Sequence, residues 1–112
     1  VDHAIRELAG DRSHLKADAI LFSTSKIGVM GIECITGMGL KIPEEIAVVS
    51  FDNADAYKIC VSPVTVVAQP IRKMGQTAVR ILLNDLAHPE AERTPEKILL
   101  KTEFIVRKSC GS

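Results

Sequence analysis

Residues 46–69, IAVVSFDNADAYKICVSPVTVVAQ, decide the fold of this chain. Ile46-Ala47-Val48-Val49 runs from just after Pro43 straight into Ser50-Phe51-Asp52-Asn53. A short apolar run bounded by proline and a polar turn predicts a strand buried on both faces, as in a parallel sheet. A second β-branched run, Val64-Thr65-Val66-Val67, follows the Ser62-Pro63 turn and stops at Gln69-Pro70. Open parallel sheets meet their ligands at the carboxyl ends of the strands, and Asp52 stands where the first strand ends. Strand, carboxylate, irregular segment and strand together predict one edge of a binding site.

Toward the amino terminus, Ala19-Ile20-Leu21-Phe22 reads as a shorter strand closed by Ser23-Thr24-Ser25. A serine or threonine there can cap the helix that follows. That helix carries Ile27, Met30, Gly31, Cys34, Ile35 and Met38 at the spacing of one face, and Gly37 and Gly39 end it. Strand, helix and strand in this order form a βαβ unit with parallel pairing. Residues 1–9, VDHAIRELA, place Val1, Ala4, Ile5 and Leu8 on one face of a helix ended by Gly10. Val1 has no cap before it, so this helix reads as one entered in the middle of a longer polypeptide.

Toward the carboxyl terminus, Pro70 opens a helix over 71–86 whose one side is Ile71, Met74, Gly75, Ala78, Leu82 and Leu86. His88-Pro89 stops it, and residues 90–97 form a charged loop. Two alternating stretches, 98–101 and 103–107, predict strands at a sheet edge, with Lys101, Glu103 and Arg107 as the polar positions.

The totals exclude several functions. At 112 residues the chain is one domain or less, and 46% hydrophobic residues suffice for a packed core. Fourteen basic residues balance fourteen acidic ones, which leaves no electrostatic footprint for nucleic acid. No apolar run approaches a membrane span, and no basic-then-apolar start marks an export signal. Cys34, Cys60 and Cys110 are an odd number at wide spacing, neither a disulfide framework nor a zinc site, and they fit a reducing cytoplasm. His3, His14 and His88 stand far apart in the chain, and no nucleophile elbow, phosphate loop or zinc-protease motif is present. No catalytic residue, no metal and no cofactor is expected.

Several motifs then fall in one order: VVSFDN, SPVTVVAQPIRKMGQTAVRILL and FIVRKSC. This order resembles the carboxyl-terminal end of LacI/GalR-family transcriptional regulators, over about residues 18–110. The family pattern is an apolar strand, Gly-Phe-Asp-Asp, Pro-Pro-Leu-Thr-Thr-Val-x-Gln-Pro, Met-Gly-x-x-Ala-Val and a terminal Val-Arg-x-Ser. The resemblance implies an α/β fold, a three-layer parallel-sheet lobe of the periplasmic-binding-protein-like (type I) fold, present as an incomplete fragment. On that reading residues 1–69 belong mainly to the carboxyl-terminal lobe. The helix and loop at 70–97 pack on an amino-terminal lobe outside this chain, and 98–112 hold the closing strands.

The resemblance also implies function. A small-molecule effector, a sugar or sugar derivative, binds between the lobes of a cytoplasmic homodimer. DNA is met only through a helix-turn-helix that this chain does not contain, and no membrane is involved. Residues 27–38 and 54–62 are the implied subunit contacts. The alternative is a fragment of an exported sugar-binding protein of a transporter, which shares the lobes.

Three residues are candidate ligand contacts. The Asp52 carboxylate suits a pair of sugar hydroxyls, or else it caps a turn at the strand end. Ser25 stands where the family has asparagine, and Lys26 stands where it has aspartate. The pair either meets an anionic ligand such as a sugar phosphate or acid, or is a helix cap beside a solvated lysine. Gln69 matches the family's glutamine near the cleft and hinge, and either meets ligand or ties the strands together. Tyr57 either anchors the subunit interface or packs inside its own lobe. For Cys34 and Met38, packing is expected rather than redox chemistry.

Overall fold

The computed structural model describes residues 1–9, 16–90 and 95–111. In chain order the elements are α1 (Asp2–Ala9), β1 (Ala19–Phe22), α2 (Ser25–Gly37), β2 (Ala47–Phe51), a 3₁₀ turn (Asp55–Lys58), β3 (Thr65–Ala68), α3 (Ile71–Ala87), β4 (Glu103–Ile105) and a second 3₁₀ turn (Lys108–Cys110). The expected end of the first helix at Gly10, the place of His14 and part of the charged loop at 90–97 lie outside the described residues.

The four strands form one sheet in the order β1-β2-β3-β4. β1 runs parallel to β2 with Ala19 opposite Ala47 and Phe22 opposite Ser50. β2 runs parallel to β3 with Val49 opposite Thr65 and Phe51 opposite Val67. The βαβ reading of β1, α2 and β2 is therefore the observed one. The apolar run at 46–49 does become a strand, which starts one residue later and extends to Phe51, as Ala47–Phe51. Burial on both faces does not follow: Val48 and Ser50 are buried, while Ala47, Val49 and Phe51 are half-buried. α2 packs directly on β1 and β2.

The core gathers Phe22, Ile35, Ile46, Val48, Tyr57, Val64 and Val66. α2 reaches the sheet through small residues. A β-carbon at Gly31 would collide with the Phe22 ring, and one at Gly28 with the Tyr57 hydroxyl. This close approach rotates the buried face away from the expected one. Gly28, Gly31, Cys34 and Ile35 are buried, whereas Ile27 and Met30 remain exposed. Cys34 sits in the core as expected, its thiol donating to Asp2 Oδ1 at 2.9 Å. That hydrogen bond, together with burial, pushes the thiol above its ordinary pKa.

The chain divides into two compact units, Val1–Ala68 with Phe104–Ser112, and Gln69–Glu103. The second unit is dominated by α3, in which no residue is buried. The alternating stretch 98–101 forms no strand; Ile98 and Leu99 are exposed and only Glu103–Ile105 joins the sheet. Alternation predicts a strand only where a neighbour offers its ladder.

Candidate functional site

The first unit carries the strand ends that the sequence points to. β2 ends in Phe51, and Asp52 follows with φ 71°, a left-handed backbone that aspartate tolerates better than most residues. Its amide donates to the Val67 carbonyl at 3.0 Å, so the turn is tied to β3 as soon as it leaves the ladder. The Asp52 side chain is half-exposed. Because Phe22 lies opposite Ser50, the turn after β1 and the turn after β2 emerge at the same end of neighbouring parallel strands. Ser25 and Asp52 thus share one edge.

The helix cap is not Ser25. Thr24 holds an extended backbone and its hydroxyl accepts from the Ile27 amide, which makes Ser25 the first residue of α2. The capping alternative for Ser25 therefore passes to its neighbour. Lys26 is exposed on the first turn. Gln69 directly follows β3 and falls in the second unit, half-buried, with its carbonyl accepting from the Ile71 amide at 2.9 Å.

Tyr57 takes the interior alternative. It is fully buried, and its hydroxyl lies 2.8 Å from Ser50 Oγ and 3.1 Å from the Ser25 carbonyl, to which it donates. Sequence reasoning leaves this residue open between an interface anchor and packing inside its own lobe. The signal it missed is Gly28, whose absent side chain makes the room.

The terminal Val-Arg-x-Ser motif has a structural task that its spacing alone does not reveal. Arg107 Nη1 donates to the Val64 carbonyl at 2.8 Å and Nη2 to Asn53 Oδ1 at 2.7 Å, beside Asp52. Ser109 is buried; its hydroxyl accepts from the Thr65 amide at 2.8 Å and donates to the Val48 carbonyl. The chain end therefore fastens β2, β3 and the turn at Asn53 to one another. A buried hydroxyl used in both directions leaves no polar atom unpaired.

A surface cavity of about 750 Å³, lined by Ile32, Leu40, Ile42, Val61, Lys41 and Lys108 among others, opens at the amino-terminal ends of β2 and β3. It lies at the opposite end of the strands from Asp52. Among the described residues no His, Cys, Asp and Glu cluster has the makings of a metal site, and no helix is long and apolar enough to cross a membrane.

Comparison with known proteins agrees with this architecture. The family described as "Periplasmic binding protein-like domain" matches residues 2–110. The HTH-type transcriptional repressor MelR of Bacillus subtilis (strain 168) is 28% identical over 97% of this chain, which spans 30% of that protein. The structure of the transcriptional regulator CelR–cellobiose complex superposes with a TM-score of 0.80 at 28% identity, covering 96% of this chain and 32% of that one. A LacI family transcriptional regulator from Enterococcus faecium with bound ribose gives a TM-score of 0.82 at 25% identity, covering 97% and 38%. This chain thus spans about a third of the proteins it resembles. The relatives are transcriptional regulators, not enzymes, and they do not favour the exported-protein alternative. The chain belongs to the periplasmic binding protein-like domain family, in the form that LacI-family transcriptional regulators carry.

Proposed function

We propose that this chain is the carboxyl-terminal part of the effector-sensing module of a transcriptional regulator, and that Asp52 and Ser25 contact the effector. The observation that carries this reading is their common edge at the carboxyl ends of two neighbouring parallel strands. An ionised carboxylate beside a hydroxyl and backbone groups suits a ligand rich in hydroxyls, and the sugars bound by CelR and by the E. faecium regulator have that chemistry. Gln69, directly after β3, is the third proposed contact.

The polypeptide works by linkage. The effector binds one arrangement of two lobes more tightly than the other and shifts the population toward it. In a cytoplasmic homodimer that shift changes how two helix-turn-helix units, carried elsewhere in the polypeptide, sit on their half-sites. The exposed apolar side of α3, including Ile71, Met74, Leu82 and Leu86, is covered by the amino-terminal lobe. Exposed Val29 and Met30 on α2, and Ile59 and Val61 beyond the 3₁₀ turn, support subunit contact at 27–38 and 54–62.

The test is calorimetric titration of the native polypeptide that carries these residues with cellobiose, D-ribose and D-glucose. A charged hydrogen-bonding group is worth about 1.5–3 kcal/mol, so Asp52→Asn weakens the sugar that binds by roughly 10- to 100-fold. Unchanged affinity in that variant would remove Asp52 from the site. Sedimentation of Met30→Glu tests the dimer, with a shift toward monomer as the expected result.

A further inference from the structure

Tyr57 stands in the 3₁₀ turn at Asp55–Lys58, flanked by exposed residues, yet no part of its side chain reaches solvent. The phenol has one proton, and the Ser25 carbonyl at 3.1 Å is an acceptor only. With that proton directed to Ser25, only the Ser50 hydroxyl can donate across the 2.8 Å contact, in competition with the Phe51 carbonyl 3.1 Å from Ser50 Oγ. Ser50 is itself fully buried in β2, two residues ahead of Asp52. Ser25 opens α2, immediately after the turn that follows β1.

The room for this arrangement is specific. A β-carbon at Gly28 would collide with the Tyr57 hydroxyl and stand 2.9 Å from Ser50 Oγ. Ser50 occupies the position at which the family pattern has glycine, and Gly28 lies one helical turn beyond Ser25. Ser50 supplies a hydroxyl, Gly28 lacks a side chain, and a phenol fills the space between them. A shape match and two hydrogen bonds converge on the backbone that presents Ser25 and Asp52.

We infer that Tyr57 is a positioning residue for the ligand-contact edge, fixing the turn at Ser25 against the end of β2 through its hydroxyl. This role rests on the proposed contact of Ser25 and Asp52 with the effector. Tyr57 touches no ligand itself; it acts through the Ser25 carbonyl and the Ser50 side chain. Ser50 is buried and Ser25 half-buried, and the Phe51 carbonyl, 3.1 Å from Ser50 Oγ, is the other acceptor within reach of the Ser50 proton.

Tyr57→Phe keeps the ring and removes only the hydroxyl. Amide hydrogen exchange followed by mass spectrometry, on the native polypeptide without ligand, reads the consequence locally. Exchange across residues 23–28 rises on the order of tenfold, from the loss of one or two buried hydrogen bonds, while the amides of β3 change far less. Ser50→Ala keeps the bond to Ser25 and gives a smaller, few-fold rise in the same segment. A uniform rise through the whole unit, or none at 23–28, overturns the inference, since a purely structural tyrosine lowers protection everywhere. D-ribose and cellobiose titrations supply the second readout. Tyr57→Phe weakens the sugar that Asp52→Asn also weakens, by several-fold. Loss in Asp52→Asn with none in Tyr57→Phe overturns the positioning role. No loss in Asp52→Asn, with the local exchange rise still present, is the failure of the effector reading and not of the Tyr57 anchorage.

Discussion

α2 and α3 are both helices with an apolar side that can be read from spacing, and they have opposite fates. α2 buries Gly28, Gly31, Cys34 and Ile35 against β1, β2 and Tyr57. α3 buries nothing, and its Ile71, Met74, Leu82 and Leu86 remain exposed. The difference lies in the partners and not in the pattern. A hydrophobic stripe states that a face is fit for burial; it does not state what covers it. Glycines sharpen the contrast, since one in α2 is hemmed in by an aromatic ring and one in α3 faces open space.

The largest effect is expected at the crowded end of that contrast. Gly31→Ala drives a β-carbon into the Phe22 ring, and the helix must lift off the sheet to admit it. Overpacking of this kind costs about 1–3 kcal/mol, and the ring, pinned in the core, places the loss at the upper end. Urea unfolding measures it as a lower midpoint at unchanged slope. An unaltered midpoint would show that α2 is no better seated than α3.

Ser109→Ala comes next, and it tests whether the chain end belongs to the same cooperative core. The variant strands the Thr65 amide and the Val48 carbonyl, both facing a buried position. An unpaired buried group costs about 1–3 kcal/mol, and Ser109→Thr, which keeps the hydroxyl, recovers part of the loss. Equal loss in both variants would point to packing instead of hydrogen bonding.

A pH series tests the α2 contact through its titratable group. Burial holds the Tyr57 phenol above its ordinary value of 10.0; the Ser50 hydrogen bond opposes this, and the charges of Asp52 and Cys60 add to the rise. The folded chain therefore keeps a proton that the unfolded chain releases. The stability so contributed is fully present below about pH 10 and is lost as pH rises through the folded value. Tyr57→Phe has no such proton, so the difference in urea midpoint between wild type and variant narrows above pH 10. A constant difference from pH 8 to 11 would break the assignment.

These features also mark what was legible in the sequence. β2 and β3 were legible because each is decided within a few residues by apolar runs and the prolines beside them. The βαβ unit follows from their order, and the edge holding Asp52 and Ser25 follows from parallel pairing. The burial of Tyr57 was not legible, since it depends on Gly28 and Ser50, distant in sequence and informative only once α2 is docked. The same docking exposes Ile27 and Met30, because small residues let the helix approach and so turn a different side to the sheet. The alternation at 98–101 mimics a strand, and only the missing ladder partner tells it from β4.

The smallest effect is expected at Gly75, and its sign is informative. Gly75 lies inside α3 with nothing within reach of an added β-carbon. An exposed helical glycine is worse than alanine by roughly 0.5–1 kcal/mol, because the glycine backbone loses more freedom on folding. In the 112-residue chain Gly75→Ala therefore raises the helical signal and the thermal midpoint slightly. Met74 and Leu82 share the proposed covered side with Gly75, so in the native polypeptide the proposed cover of α3 would reach the same β-carbon. A gain in the short chain that turns into a loss in the native polypeptide marks Gly75 as a point of close approach, the counterpart in α3 of Gly31 in α2. A gain of the same size in both would leave the position in solvent and confine the covered side of α3 to its larger residues.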